Sequence, residues 1–189
     1  YFLLIKFEDL NSLSENQDGV SLSENAYQSN ATIVSAGNNL FMGFDQTDGD
    51  INQFYDVLDN DLNSILGQST GVDPNNAYSQ PYYNIVFNEL ENLVYYIYSD
   101  NRDGSHNIYA QQFDISGNPT WPSSIKIAET VGSGVFPADD NVIGALPSDN
   151  GGCVILYNSG SFVEKNIYAI AIDSNGQIQQ GWDNEGLKL

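Results

Sequence analysis

Residues 93–121 read LVYYIYSDNRDGSHNIYAQQFDISGNPTW. The apolar run Val94-Tyr95-Tyr96-Ile97-Tyr98 leads into an acidic turn that ends on Gly104. A second run opens with Asn107-Ile108-Tyr109-Ala110, and the turn Asp114-Ile115-Ser116-Gly117-Asn118 follows, with Trp121 beyond it. Aromatic and β-branched side chains suit a pleated, half-buried surface, and clusters of Asp, Asn, Ser and Gly reverse the chain between such runs. The stretch is a strand, a tight turn and a returning strand. Its partial copies elsewhere set the period of the chain.

Asn107-Ile108-Tyr109-Ala110 recurs as Asn166-Ile167-Tyr168-Ala169, 59 residues on, and Gly117 recurs as Gly176 at the same interval. The same offset lays Val94-Tyr95-Tyr96-Ile97-Tyr98 over Cys153-Val154-Ile155-Leu156-Tyr157. A more diverged copy lies upstream. It has the strand Leu40-Phe41-Met42-Gly43-Phe44, the turn Asp45-Gln46-Thr47-Asp48-Gly49, a returning strand at 54–58 and the turn Asp59-Asn60-Asp61-Leu62-Asn63. One more strand precedes each apolar run, at Thr32-Ile33-Val34, Tyr83-Asn84-Ile85-Val86-Phe87 and Val142-Ile143-Gly144-Ala145. A last strand closes the unit as Ser124-Ile125-Lys126-Ile127 and again as Gly186-Leu187-Lys188-Leu189, with an earlier relative at Gly19-Val20-Ser21-Leu22.

Four short strands every 50 to 60 residues or so mark the blades of a β-propeller, an all-β fold of four-stranded antiparallel sheets. A blade buries both its faces only against neighbouring blades. The register divides the chain into a half-blade at 1–30 and blades at 31–80, 81–138 and 139–189. That is about three and a half blades, a partial ring, where closed rings have about four to eight. The expectation is a fragment of a longer chain, or a ring completed by a partner. A sandwich would not predict the repeat, and a solenoid would use a shorter period.

Composition agrees. Hydrophobic residues make up 41% of the 189, enough for a packed core, and 12 Tyr and 9 Phe favour strands over helices. Twenty-five acidic residues against five basic ones give a net charge of −20. Binding to nucleic acid or to an anionic membrane surface needs clustered Lys and Arg, and this chain lacks them. The acidity serves solubility by self-repulsion or attracts cations, calcium above all. The single cysteine, Cys153, stands in an apolar run and reads as a small buried hydrophobe. No run of about 20 apolar residues spans a bilayer. The opening run Tyr1-Phe2-Leu3-Leu4-Ile5 reads as an interrupted strand, so residues are expected upstream of it.

Ser99-Asp100-Asn101-Arg102-Asp103-Gly104 together with Asn107-Ile108-Tyr109-Ala110-Gln111 resembles the propeller-blade repeat of large secreted and cell-surface proteins of Bacteroidetes. That repeat reads as a hydrophobic strand, Asp-x-Arg-x-Gly, Asp-Ile-Tyr-Ala-Gln, an Asp-x-x-Gly turn and a Trp. The copy at 81–138 matches nearly throughout. The last copy keeps Ile167-Tyr168-Ala169, Asp173, Gly176 and Trp182 but reads Asn158-Ser159-Gly160-Ser161 in place of the Asp-x-Arg turn. The resemblance covers about two thirds of the chain and is specific for architecture. It implies an extracellular or outer-cell-surface protein, of the kind carried as cargo by type IX secretion, without the C-terminal sorting domain of such cargo.

Two acidic turns carry the candidate chemistry. Asp45, Asp48 and Asp50 in the first, and Asp100 and Asp103 in the second, are the candidate calcium ligands, because alternating oxygens around a glycine turn can wrap a hard cation. Neither turn has the full Asp-x-Asp-x-Asp-Gly spacing, and both also read as plain hairpin turns. Arg102, with its fork of donors, competes for the same carboxylates and is expected to bridge carboxylates or carbonyls between strands. His106, the only histidine, reads as an exposed turn residue. Trp121 and Trp182 hold the same repeat position, which favours packing between blades over sugar binding. Tyr109 and Tyr168 read as core.

No catalytic residue is assigned. The function expected is a non-catalytic extracellular or cell-surface segment for adhesion, glycan binding or protein binding within a larger protein or assembly. The partners are then a glycan or protein at the cell surface, together with further blades of the same protein or of a partner chain. The alternatives are a propeller-type polysaccharide hydrolase, which needs two converging carboxylates, and a structural subunit of a surface or secretion complex.

Overall fold

In a computed structural model, the structure describes residues 27–48, 50–73, 82–129, 140–160 and 165–189. The half-blade expected at the N-terminus lies almost wholly outside these residues. Twelve strands and no helix occur among them. They form three four-stranded antiparallel sheets, each with its strands in chain order. The first sheet holds β1 (Tyr27–Ala36), β2 (Asn39–Asp48), β3 (Asp50–Leu58) and β4 (Thr70–Gly71). The second holds β5 (Tyr83–Asn88), β6 (Leu93–Asp100), β7 (Asn107–Asp114) and β8 (Ile125–Ala128). The third holds β9 (Asn141–Pro147), β10 (Cys153–Gly160), β11 (Lys165–Ile172) and β12 (Leu187–Lys188). The first strands β1, β5 and β9 lie side by side, and the sheets fan outward from them as propeller blades.

The second blade shows why its sequence is so apolar. Val94, Tyr95, Tyr96, Ile97 and Tyr98 are all fully buried, because this blade is covered on both faces. Alternation along the strand divides the residues between the two neighbours. Val94, Tyr96 and Tyr98, with Tyr109 and Phe113 of β7, pack with Phe41, Tyr55 and Val57 of the first blade. Tyr95 and Ile97, with Ile108 and Ala110, pack with Cys153, Ile155, Tyr157, Ile170 and Ile172 of the third. Cys153 is a buried free thiol, and burial pushes its ionisation well up. A smaller cluster of Met42, Phe44 and Leu58 occupies the far face of the first blade.

One turn occurs three times with the same bonds. The carboxylates of Asp59, Asp114 and Asp173 each accept main-chain N–H groups two and four residues on, at 2.8–2.9 Å. The fourth residue of each turn has a positive φ: +64° at Leu62, +85° at Gly117 and +75° at Gly176. Glycine adopts that conformation without penalty, and leucine does not.

The first acidic segment differs from its sequence reading. Asp45, Gln46 and Thr47 are strand and not turn: β2 runs on to Asp48 and pairs residue for residue with β3, Asp45 opposite Gln53. Polar side chains suggested a turn here, but Asp45 is buried in the sheet with two amide partners. The two-residue β4 has no counterpart in the sequence reading.

Candidate functional site

Asp100 ends β6, and its Oδ1 accepts the main-chain N–H of Arg102 at 2.7 Å, which curls the chain back over the strand end. The guanidinium of Arg102 then reaches Asp100 Oδ2 with Nη2 (2.6 Å) and Asp73 Oδ2 with Nη1 (3.0 Å). Asp73 lies just beyond β4, so this arginine ties the first blade to the second. It also lies 4.4 Å from the centre of the Tyr109 ring, a cation–π distance. Burial opposes its charge, but Asp100, the Tyr98 hydroxyl and Asp73 hold its ionisation above the usual arginine range. The expected bridging role of Arg102 is what the geometry shows.

Asp103, the other acid of this turn, accepts the Tyr109 hydroxyl at 2.6 Å and Lys126 Nζ at 2.9 Å. Those two bonds hold its carboxyl below the usual range. Asp45 accepts amide protons from Asn30 (2.6 Å) and Gln53 (2.5 Å), while Gln53 Oε1 accepts the Tyr96 hydroxyl at 2.6 Å. Burial raises the ionisation of Asp45, and the two amides only partly offset it. The side chains of Asp48 and Asp50 lie outside the described residues. Asp45 thus belongs to one blade, and Asp100 and Asp103 to the next. Among the described residues no group of three or more His, Cys, Asp or Glu side chains is placed to hold a metal ion.

His106 is half-buried, not exposed as its turn position suggested. Its carbonyl accepts the N–H of Asp140 at 2.9 Å, and this contact brings the start of the third blade over the turn.

A second set of residues, of which the sequence singles out only Trp121, consists of the polar groups that grip the next blade. The turn at 114–118 is held from the first blade by Asn39 Nδ2, donating to Ile115 O at 2.9 Å, and by the Tyr55 hydroxyl, donating to Gly117 O at 2.9 Å. The equivalent turn at 173–177 is held from the second blade by Gln112 Nε2 and Trp121 Nε1, which donate to Ser174 O at 2.9 and 3.0 Å. Asn88 donates to the carbonyls of Ser148 and Gly152, and Glu91 accepts the Gly152 N–H at 2.7 Å. Trp121 is buried edge-on against Tyr95, so its role is packing and clasping between blades. Tyr109 is buried as expected, whereas Tyr168 is half-buried and stacks on Tyr157.

No protein-family model matches the chain, and no curated protein does. Among solved structures, the native arabinanase Arb43A of Bacillus subtilis is 11% identical at a TM-score of 0.47, over 86% of this chain and 59% of that one. A glycosyl hydrolase from Bacteroides ovatus is 13% identical at 0.47, over 81% and 50%. A structure from work on GH130 mannoside phosphorylases, and on glycoside hydrolases that target β-1,2-mannosidic linkages in Candida mannan, is 14% identical at 0.47, over the same shares. The chain spans between half and three fifths of the length of these proteins. At this level the similarity transfers no activity.

Proposed function

We propose that these residues form a non-catalytic propeller segment that binds a glycan or a protein at the cell surface or outside the cell, as part of a larger protein or assembly. The observation that carries this reading is the Asp73–Arg102–Asp100 bridge. Hydrolysis of a glycosidic bond requires two carboxyl groups about 5–10 Å apart and open to the sugar. Here two buried carboxylates converge on one group, and that group is the guanidinium of Arg102, at 3.0 Å from Asp73 and 2.6 Å from Asp100. The shifted carboxylates Asp45, Asp56 and Asp103 are likewise turned onto protein donors. They support the blades.

The net charge of −20 disfavours anionic ligands and leaves neutral glycans or basic protein surfaces as the matching classes. The test is retention of the purified chain on arrays of neutral and anionic polysaccharides and on basic proteins, with a parallel assay for released reducing ends. Retention on a neutral glycan or a basic protein without release is expected. Release of reducing ends that disappears when one of the chain's aspartates is replaced by Asn would establish the hydrolase instead. Failure to bind any of these surfaces would also overturn the reading.

A further inference from the structure

The third blade leaves one face open. Directly opposed residues of paired strands share a face. The pairings Val154 with Leu146 and Ala171, Leu156 with Gly144 and Ala169, Asn158 with Ile167, and Ala169 with Leu187 therefore define one surface. On it Leu146, Ile167 and Leu187 are 66%, 48% and 56% exposed, and Val154 and Leu156 are half-buried. Isolated exposed leucines are ordinary, but a contiguous apolar sheet face is not.

The repeat identifies what fits it. Shifted back by the 59-residue period, Val154, Leu156, Ile167 and Ala169 fall on Tyr95, Ile97, Ile108 and Ala110. Those four are the residues by which the second blade receives the third, and all are fully buried there. The first blade receives the second in the same way, through Phe41, Tyr55 and Val57. At both covered interfaces the incoming blade is the next one along the same polypeptide. At both it also lays its Asp-x-x-Gly turn on the outer part of its predecessor, where Gly117 meets Val57 and Gly176 meets Ile125 and Trp121. Trp182 lies two residues beyond the position to which the same 59-residue shift carries Trp121, and it is half-buried.

We infer that the open face of β9 to β12 is the docking surface for one further blade of this repeat, supplied by the same polypeptide, whose Asp-x-x-Gly turn seats on the outer part of this face. The surface is independent of the ligand and would stand if the glycan or protein reading failed. A second copy of this chain fits it poorly. The leading faces of its second and third blades are occupied within the copy, and Met42, Phe44 and Leu58 on that of its first are each only 2% exposed.

The test compares the 189-residue chain with the polypeptide isolated from its natural source, by hydroxyl-radical footprinting of Leu146, Ile167 and Leu187 and by light scattering. Protection of these residues in the monomeric natural polypeptide, together with reactivity in the 189-residue chain, is the expected result. Equal reactivity in both overturns the inference. So does protection that appears only in an oligomer and is lost on dilution, which would assign the face to a second chain. The paired variant Ile167→Asp with Leu187→Asp gives a second readout. It should leave the melting temperature of the 189-residue chain within about 2 °C and lower that of the natural polypeptide by about 4 °C or more. An equal shift in both would also overturn the inference.

Discussion

Trp121 in the second blade and Ser174 in the third are joined by a 3.0 Å hydrogen bond from the indole Nε1 to the main-chain carbonyl. The indole lies against Tyr95 on one side and over Gly176 on the other, so the bond is made within a packed, water-poor contact. Trp121→Phe keeps most of the apolar area but leaves the carbonyl with Gln112 alone. It is expected to cost about 1–2 kcal/mol in urea unfolding. A loss under about 0.5 kcal/mol would mean that the clasp contributes only shape.

The thrice-repeated Asp turn makes a prediction in the stabilising direction. Gly117 and Gly176 occupy a left-handed position that Leu62 occupies in the first blade, at φ +64°. A leucine there costs about 1–2 kcal/mol relative to the right-handed region, less the entropy a glycine loses on ordering. Leu62→Gly should therefore raise stability by up to about 1 kcal/mol. Gly176→Ala should lower it, because the new Cβ would stand 2.6 Å from Ile125 Cδ1 as well as adopting the strained φ. If both changes destabilise equally, conformational strain is not what distinguishes the two positions.

The blades were legible because a sheet buried on both sides needs long apolar runs, and residues 93–98 and 153–157 supply them at a fixed interval. The Asp-x-x-Gly turn was legible for a related reason, since its bonds are local and need an Asp at one end and a left-handed residue near the other. The polar contacts that join the blades were not. Gln112 and Ser174 are 62 residues apart, and Asn39 and Ile115 are 76 apart, so nothing in either neighbourhood names the partner. Asp45 was misread for the same reason. Its amide partners sit 15 residues before it and eight after it on flanking strands, and only their pairing makes a buried aspartate tolerable in mid-strand. The arginine bridge was half legible. Asp100 and the fork of Arg102 lie side by side in sequence, but Asp73 comes from the preceding blade.

Stability should fall as pH rises above about 4. Burial raises the ionisation of Asp45 and of Asp56 above the ordinary 3.8. Between 3.8 and those raised values the folded chain keeps protons that the unfolded chain has released. Their stabilising contribution is full below 3.8 and is lost as pH climbs through the folded values. Asp103 is shifted the other way by Tyr109 and Lys126, so its contribution is present above 3.8 and lost in stronger acid. The urea midpoint is thus expected to decline from pH 4.5 to 7.5. Self-repulsion at −20 adds to that slope at low salt and is screened at high salt, whereas the buried carboxyls are not. Asp45→Asn should flatten the slope that remains at high salt. A midpoint that rises over this range would contradict the assignment.

Removing the guanidinium of Arg102 should be the most damaging single change in the candidate site. Asp100 and Asp73 are 0% and 1% exposed, and each takes one arm of the arginine, so Arg102→Met leaves two buried carboxylates without their shared cation. Breaking a buried pair from one side costs about 3–5 kcal/mol, since the Tyr98 hydroxyl on Asp73 and the main-chain N–H on Asp100 remain but bring no countercharge. Arg102→Lys should recover only part of the loss, since an ammonium is a point charge and cannot reach both acids with a planar fork. Urea unfolding of the three proteins at pH 7.5 separates these effects. A methionine variant within about 1 kcal/mol of the parent at pH 7.5 would class the bridge with ordinary surface pairs.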